Sequence, residues 1–382
     1  MKSVPKEKAS LLSEMATLFL KLGLIGFGGP AAHIAMMEEE IVTRRQWLTR
    51  QQFLDLVGAT NLIPGPNSTE MAIHIGYLQA GWPGLILAGV CFILPAVLIT
   101  SFFAWLYLRF GSLPQIAPFL AGVKPAVLAV ILGAVLKLGQ TAAKNRKLMV
   151  IGLLVAAATL AGLNEIAALF VGGIVGMVWL QGWFRPGQTP LFLPPLLPFT
   201  IPLALTATPT LGQLALFFLV IGSVLYGSGY VLIAFLNGWL VDNLGWLSQQ
   251  QLLDAVAVGQ FTPGPVLTTA TFIGYLLHGP AGAITATLAI FFPSFIFVAI
   301  LHALLPRLRR SPALSAFLDA VNASSVGLMA AVLVGLGRAT LINWAAWLIA
   351  LAATALALRW KVSPPWLVVG GAVAGWLLSV AR

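Results

Sequence analysis

Charged residues are scarce in this sequence. Only 8% of its 382 residues are Asp, Glu, Lys or Arg, while 59% are hydrophobic. A soluble domain typically carries about 25% charged residues, so this chain has too little polar surface to cover a globule of its size. Its apolar stretches reach the length of about 20 residues with which a helix crosses a bilayer. The sequence therefore predicts an all-α polytopic membrane protein.

The signatures of enzymes and metal sites are also missing. The single cysteine, Cys91, excludes an internal disulfide and a cysteine-cluster metal site. There is no Gly-Lys pair for a Walker phosphate loop, no Gly-x-Ser-x-Gly elbow, and no metal-ligand spacing among the four histidines. We expect no catalytic residue, no metal and no cofactor. An intramembrane enzyme is the remote alternative, because nothing pairs a nucleophile with a base.

The net charge of +10 does not indicate nucleic-acid binding. The basic residues fall in short clusters between apolar runs, such as Lys144-Asn145-Arg146-Lys147 and Arg307-Leu308-Arg309-Arg310. Loops of membrane proteins carry such clusters on the cytoplasmic side. The expected surroundings are therefore a lipid bilayer and not a nucleic acid.

The sequence contains an internal repeat. Residues 47–66 and 246–265 agree at half of their 20 positions, 199 residues apart. The matching residues of the first copy are Trp47, Leu48, Gln51, Gln52, Leu54, Asp55, Val57, Pro64, Gly65 and Pro66. The similarity extends in both directions and predicts an N-terminal repeat over 1–183, a Pro-rich linker over 184–211 and a C-terminal repeat over 212–382. Two copies of this length are typical of secondary transporters.

The basic loops indicate that the two repeats are inverted. Loop 38–51 carries three arginines and its counterpart 237–250 none, while turn 137–147 carries four basic residues and its counterpart 335–345 one. The two remaining pairs of loops show the opposite bias, with the basic residues in 305–312 and 359–361. Because basic loops stay in the cytoplasm, equivalent loops lie on opposite sides of the membrane.

Inversion predicts an odd number of crossings, about five, in each repeat. We expect the first repeat to cross at 14–37, 82–108, 118–138, 147–163 and 165–183, with 52–80 as a re-entrant hairpin. The second repeat is expected to cross at 213–236, 282–305, 314–337, 343–358 and 365–380. The N-terminal lysines Lys2, Lys6 and Lys8 disagree, because this arrangement places them outside.

Glycine and proline clusters predict broken helices at matching positions of both repeats. They are Gly26–Pro30 with 226–229, and the two Pro-Gly-Pro elements at 64–66 and 263–265. A helix that restarts after a break presents free N–H groups and a positive dipole end to an anion. The alternative is that the prolines only kink the helices and the glycines only allow close packing. Duplicated breaks favour a substrate site near the middle of the membrane.

Polar and ionisable residues near these breaks complete the predicted site. Lys124 stands in an apolar run and either compensates the charge of an anion or extends to the nearer surface. Asp55, Glu70 and Asp254 have either a proton or ion-pair role or a structural one. The predicted substrate-binding residues are Phe27, Gly28, Gly29, Pro30, Asn61, Pro64, Gly65, Pro66, Asn67, Ser68, Lys124, Tyr226, Gly227, Ser228, Gly229, Thr262, Pro263, Gly264 and Pro265.

Several ordered motifs carry a family resemblance. They are Gly26–Pro30, Phe53-Leu54-Asp55 after Trp47, Pro64–Ser68, Ile75-Gly76-Tyr77, Gly81-Trp82 and Gly122-Val123-Lys124-Pro125. With them the chain resembles the chromate ion transporter family in its long, two-domain form. The second repeat departs from the glycine-proline motif, with Tyr-Gly-Ser-Gly-Tyr at 226–230.

The resemblance implies a function. The family is expected to export chromate across the bacterial inner membrane and so to confer chromate resistance. Sulfate or another tetrahedral oxyanion is the alternative substrate. Both a monomer and a homodimer are compatible with the sequence.

Overall fold

The computed structural model of the chain describes residues 5–27, 29–111, 113–142, 144–181, 209–226, 229–308 and 311–380. These residues form α-helices joined by turns and short 3-10 or π-helical segments. The helices of the first repeat are α1 (Pro5–Ile25), α2 (Pro30–Glu38), α3 (Arg50–Thr60), α4 (Asn67–Phe110), α5 (Ala117–Ala142), α6 (Arg146–Leu160) and α7 (Glu165–Gln181). Those of the second are α8 (Leu211–Val224), α9 (Leu232–Leu236), α10 (Gln249–Phe261), α11 (Thr269–Leu308), α12 (Pro312–Thr340), α13 (Trp344–Arg359) and α14 (Pro364–Val380).

Capping residues start equivalent helices in both repeats. Thr49 and Gln52 form a capping box at α3, and Ser248 and Gln251 form the same box at α10. Asn145 caps α6 through the N–H of Leu148, as its counterpart Asn343 caps α13. Side-chain caps satisfy N–H groups that a helix leaves open in its first turn. The repeat therefore includes the local signals that fix helix boundaries.

The long helices α4 and α11 each bend at a glycine. Gly81 has φ of 65° and Gly279 has φ of 58°, and the residue before each is also non-helical. Each kink separates a short first segment (67–79 or 269–277) from a long second one (82–110 or 280–308). The helices long and apolar enough to cross a membrane are α4, α5, α12 and the segment 266–300; α7, α8, α13 and α14 are shorter and also apolar.

Large apolar side chains face outward along these helices. Leu98 of α4 and Leu288 of α11 are 61% and 67% exposed. Tryptophans lie exposed near the ends of the shorter helices, at Trp344, Trp360 and Trp366. Lipid accepts such a surface, and aromatic residues concentrate where its apolar core meets water. The outer surface is that of a membrane protein.

Equivalent helices of the two repeats run antiparallel. In α4 and α11, Gly89 packs on Phe295 while the earlier Leu85 shares an apolar cluster with the later Val298. In α5 and α12, Gly139 packs near Val326, and Lys144 beyond α5 binds Asp319 early in α12 at 2.7 Å. A two-fold axis perpendicular to the helices relates such pairs. The predicted inverted repeat is thereby confirmed.

The segment 14–37 does not cross as one span, and this prediction was wrong. Arg45 Nε lies 3.0 Å from Glu14 Oε1, and Lys21 Nζ lies 2.7 Å from Glu40 Oε1. Position 45 therefore returns to the level of position 14, so α1 and α2 form a hairpin with its tip at Gly26. Helix α3 and the start of α4 form a second hairpin, because Gln79 Nε2 donates to Trp47 O at 3.2 Å.

These hairpins correct the predicted crossing count and the position of the N-terminus. Three hairpins (α1/α2, α3/α4 and α6/α7) and two long helices return the first repeat to the end where it began, so its crossing number is even. Helix α7 ends near the start of α12, since Gly176 packs on Ala320, whereas His278 at the kink of α11 binds Pro209 O at the opposite end. The second repeat therefore starts at the other end, and inversion is kept.

Basic residues concentrate at the end of the bundle where α1 begins. That end carries Arg44, Arg45, Lys144, Arg146 and Lys147, whereas the opposite end carries Arg109 and Arg338. Lys6 and Lys8 lie in the first turns of α1 and so belong to the basic end. The hairpin therefore removes the disagreement for Lys6 and Lys8, and Lys2 lies outside the described residues.

Small residues hold the repeats together away from the hairpins. Gly172 and Gly176 of α7 pack against Ser324 and Ala320 of α12, and Gly371 and Gly375 of α14 pack against Gly122 of α5. A Cβ at Gly122 would lie 2.1 Å from Gly371 O. Both Gly-x-x-x-Gly patterns thus serve helix packing, as small residues do in membrane bundles.

Candidate functional site

Four breaks in the helices meet at one place in the molecule. The first repeat contributes the tips at 26–29 and 61–66, and the second contributes 225–229 and 262–265, of which residues 28, 227 and 228 lie outside the described part of the chain. The N–H of Gly65 donates to Leu225 O at 2.7 Å, and the N–H of Gly264 donates to Gly26 O at 2.8 Å. These two hydrogen bonds are related by the pseudo-two-fold axis. Each hairpin tip therefore contacts a tip of the opposite repeat.

The meeting point lies halfway along the long helices. Gly264 packs on Ala96, in the middle of the 82–110 segment of α4, and Gly65 packs on Ser294, in the middle of the corresponding segment of α11. The elements 64–66 and 263–265 are buried. The breaks thus converge at mid-depth of the bundle, as the duplicated glycine and proline clusters predicted. Broken backbone at such depth occurs where it is buried in protein or lines a cavity.

Two helix N-termini of the first repeat point out of these breaks. Helix α2 starts at Pro30 after Gly29, whose φ of 78° few residues other than glycine adopt. Helix α4 starts at Asn67 after Pro66. Neither helix has a side-chain cap. Their first N–H groups therefore lack intrahelical partners, and each end carries the positive pole of its helix.

The glycine N–H groups of the Pro-Gly-Pro elements form hydrogen bonds within the protein. The N–H groups of Gly65 and Gly264 are engaged by Leu225 and Gly26 of the opposite repeat. Donors for a ligand at this place are thus the first-turn amides after Pro66, not the glycine amides. In the second repeat Val266–Thr268 is a 3-10 turn after Pro265 and offers an equivalent start.

Polar side chains surround the start of α4. Asn67 Nδ2 donates to Asn61 Oδ1, which links the two limbs of the hairpin. The Ser68 hydroxyl lies 3.2 Å from His33 Nδ1, and His33 Nε2 lies 2.8 Å from Gly26 O. Thr262 Oγ1 donates to Val258 O at 2.7 Å. Asn61, Asn67 and Ser68 are brought together as predicted, while Thr262 satisfies its own helix.

The second repeat places tyrosines beside the first. The Tyr230 hydroxyl lies next to Gly29, 3.5 Å from where a Cβ would stand, and Ser325 Oγ donates to Tyr226 O at 3.3 Å. Tyr230, His33 and Ser294 were not among the predicted site residues. In the sequence, their positions shortly after Gly229, Pro30 and Pro293 were the feature that could have indicated them as site residues. Phe27 is exposed, and Gly28, Gly227 and Ser228 lie outside the described residues.

Glu70 is buried in the first turns of α4. Its exposed fraction is 0%, and neither carboxyl oxygen has a hydrogen-bond partner within the described ranges. A Cβ on Gly65 would lie 2.1 Å from Glu70 Oε1 and 2.7 Å from Ser294 Oγ, so the carboxyl group lies beneath the Pro-Gly-Pro turn. Sequence alone predicted a role for Glu70 but not this contact.

Lys124 lies away from the breaks. It lines a cavity of about 550 Å³ at the end of the bundle opposite the basic one, together with Gln249, Gln250 and Asn343. Asp254 of α10 is buried near Lys124 and accepts a hydrogen bond from the Tyr107 hydroxyl at 2.9 Å. The prediction that Lys124 stands at the breaks is not matched by this geometry. Lys124 lies instead in this cavity, the vestibule of the protein.

Asp55 and Asp254 differ despite their equivalent positions. Asp55 is partly exposed and accepts from Gln51 Nε2 at 3.2 Å, one turn earlier on α3. Asp254 is 2% exposed. The two aspartates therefore lie in unlike surroundings, because α10 packs against α5 where α3 meets the surface.

Known proteins resemble this chain over both repeats. The model of the family described as "Chromate transporter" matches residues 13–177 and again 212–376. The chain belongs to the chromate transporter family. The chain is accordingly an integral, multi-pass membrane protein, and its family repeat occurs twice, as the sequence comparison within the chain indicated.

Relatives of the chromate transporter family match most of the chain. It is 34% identical over 371 residues to the "Chromate transport protein" of Cupriavidus metallidurans, covering 95% of this chain and 92% of that protein. It is also 34% identical over 374 residues to the "Probable chromate transport protein" of Synechococcus elongatus, covering 95% of each. No solved structure matches the chain.

A shorter relative corresponds to a single repeat. The "Uncharacterized transporter YwrA" of Bacillus subtilis is 30% identical over 165 residues, which are 41% of this chain and 93% of that protein. A chromate transporter repeat thus also occurs as a separate chain. Relatives named as transporters point to transport for this protein and not to enzymatic chemistry.

Proposed function

We propose that this protein is a secondary transporter that exports chromate, and that the four converging breaks hold the anion between the two repeats. The convergence of the hairpin tips at mid-depth is the observation that carries this proposal. Relatives named chromate transport proteins supply the substrate class. The membrane in question is the bacterial inner membrane.

The chemistry of the breaks suits a tetrahedral dianion. First-turn N–H groups of α4 and the side chains of Asn61, Asn67 and Ser68 offer several donors in a small space. A helix N-terminus adds about half a positive charge. Such a site binds an anion without an arginine or lysine, and within the described residues neither of these types pairs with the breaks. Lys124 in its vestibule then attracts or releases the anion at the opposite mouth.

Orientation and membrane potential favour export. The basic end of the bundle faces the cytoplasm by the positive-inside rule, so the Lys124 vestibule opens outside. Moving two negative charges outward gains about 4.6 kcal/mol per 100 mV, twice the roughly 2.3 kcal/mol for one charge. About 1.4 kcal/mol corresponds to a tenfold ratio, so potential alone supports a ratio beyond a thousandfold. No nucleotide hydrolysis is required.

The contact between the repeats allows them to move around the anion. The tips are joined by two backbone hydrogen bonds, whereas α5, α7, α12 and α14 provide the close packing. Inverted repeats commonly exchange access by rocking one unit against the other. In this protein the hairpins rock, while the helix pairs that pack through small residues, α5 with α14 and α7 with α12, stay fixed.

A single isosteric change tests the site. Asn67→Asp adds one negative charge at the start of α4, where acidic residues stabilise a helix by about 0.3–1 kcal/mol. At about 7 Å and an effective dielectric constant of about 20, its repulsion of a dianion is about 5 kcal/mol. We therefore expect chromate accumulation in everted vesicles to fall at least tenfold, with no loss of thermal stability. Asn145→Asp makes the same isosteric change at the start of α6, where the side chain still accepts from the N–H of Leu148, and should transport normally.

The outcomes separate the candidate substrates and mechanisms. Potential-dependent accumulation of chromate that falls in Asn67→Asp alone supports the proposal, and competition by sulfate shows how far the site distinguishes oxyanions. Equal transport by Asn67→Asp and wild type removes the breaks as the binding site. Vesicles that accumulate no chromate contradict the proposed substrate.

A further inference from the structure

In the packing of the hairpin, an apolar residue could take the place of Glu70. It is completely buried, and no lysine or arginine in the described part of the chain forms an ion pair with it. A buried ionised carboxylate without a partner is strongly unfavourable, and such a group binds a proton instead. Burial without a lysine or arginine partner therefore favours the protonated form of Glu70.

The surroundings of Glu70 break the symmetry between the repeats. Ser294 approaches the carboxyl group where Gly65 packs on α11. At the mirror position Gly264 packs on Ala96, and the residue corresponding to Glu70 is a threonine, Thr269. The acid and its hydroxyl neighbour thus occur together on one side of the two-fold axis and are both absent on the other. A packing role alone would not need this pair.

Four other polar or titratable groups lie on the elements packed around Glu70. His74 follows one turn later on α4 and is buried, and His33 of α2 is engaged by Ser68 and Gly26 O. From the second repeat the Tyr226 phenol lies close enough to interact with Glu70. α11 contributes the Ser294 hydroxyl. No lysine or arginine is among these groups.

We propose that Glu70 binds one proton together with each oxyanion and carries it across the membrane. An ionised Glu70 would occupy the positive start of α4 and repel a dianion there, whereas the neutral acid leaves the first-turn N–H groups to the anion. The proton is taken up on the carboxylate when the anion enters and is released when the tips separate. This inference rests on the proposed function of the same site.

One proton carried with each oxyanion determines the charge moved in each cycle. A dianion with one proton carries a net charge of −1, so 100 mV supports a ratio of about fiftyfold instead of the ratio for two charges. The pH gradient then also acts on transport, and a more acidic outside opposes export because the proton moves outward with the anion. Oxyanion affinity should fall as the pH rises, because the ionised form of Glu70 competes for the helix start.

The experiment uses purified full-length protein in liposomes with a pH-sensitive dye inside. Chromate is supplied at alkaline pH, where it is the dianion, and sulfate is run in parallel. We expect wild type to move about one proton with each chromate. Glu70→Gln should keep chromate exchange at equal concentrations on both sides within about threefold and should lose the proton movement. Glu39→Gln, at an exposed carboxylate paired with Arg44, is the matched control and should behave as wild type.

Each result has a defined meaning. Proton movement that persists in Glu70→Gln, or wild-type chromate flux without protons, overturns the proposal. If Glu70→Gln does not fold, Glu70→Asp keeps a titratable group, and loss of its proton coupling while chromate still exchanges also overturns it. A wild-type protein that exchanges no chromate contradicts the proposed function, which is a different failure.

Discussion

The N–H of Gly65 donates to the carbonyl of Leu225 at 2.7 Å and so joins the two repeats at their hairpin tips. Its symmetry mate runs from Gly264 to Gly26. Because both bonds use glycine amides between prolines, each Pro-Gly-Pro element has its one interior donor committed to the other repeat. In the proposed site the anion donors are therefore the N–H groups of the helix turns that follow, between the two repeats.

Gly65 is expected to tolerate no side chain. Its φ of 138° and the approach of Glu70 leave no room for a Cβ. Gly65→Ala should lower the melting temperature by several degrees and abolish chromate transport. Gly58→Ala in α3, where nothing lies within 4 Å of the added Cβ, should instead stabilise the protein by about 1 kcal/mol. Equal effects of the two changes would contradict the described tip.

The buried ion pair of Arg45 should matter more than the exposed one of Arg44. Glu40 has an 8% exposed side chain and binds Lys21, Arg44 and Arg45, while Arg45 also binds Glu14. Arg45→Ala removes contacts to Glu40 and Glu14, while Glu40 keeps Lys21 and Arg44, so it should cost about 1–2 kcal/mol of stability, between the values for exposed and buried pairs. Arg44→Ala should cost below about 1 kcal/mol. Thermal unfolding in detergent compares the two.

The two ends of α5 should face opposite sides of the membrane. Gln115 precedes α5 and Gln140 lies near its end, and both are exposed. In a Cys91→Ala background, a membrane-impermeant thiol reagent should label Gln115→Cys in intact cells. Gln140→Cys should react only after permeabilisation. The reverse labelling pattern would place the basic end outside the cell and would reverse the proposed direction of transport.

Lys124 should tune transport without being essential. It lines the vestibule, whose lining contains no residue of the breaks, so its charge acts on anions at a distance. Lys124→Ala should lower the rate of chromate release about threefold to tenfold at low ionic strength, and less at high ionic strength because salt screens the attraction. Lys137→Ala, near the other end of the same helix, is the control. Complete loss of chromate binding in Lys124→Ala would contradict this expectation and would indicate that Lys124 contacts the anion at the breaks.

The sequence predicted the parts of the fold that are encoded locally. The Pro-Gly-Pro elements and Gly26–Pro30 mark helix ends, because proline and glycine act on their own backbone. The bias of basic loops revealed inversion. The repeat boundaries at 183 and 211 stay predictions, because residues 182–208 lie outside the described part of the chain.

Contacts between distant segments could not be predicted in the same way. An apolar run such as 14–37 shows that lipid or protein surrounds it but not that the chain turns back within it. Whether Lys124 reaches the breaks likewise depends on how deep it lies in the bundle. This depth is set by how α5 packs against the other helices, which its sequence does not show. Glu70 and Ser294 approach each other from opposite repeats, so neither residue indicates the other in sequence.

The central claim is that the hairpin tips of both repeats together bind the oxyanion. An experimental structure of the full-length protein in lipid with bound chromate, located by the anomalous scattering of chromium, tests it most directly. We predict the chromium atom at mid-depth, with chromate oxygens within hydrogen-bond distance of the first-turn N–H groups of α4 at Asn67 or Ser68. Chromium found in the Lys124 vestibule alone, with the tips empty, would contradict it.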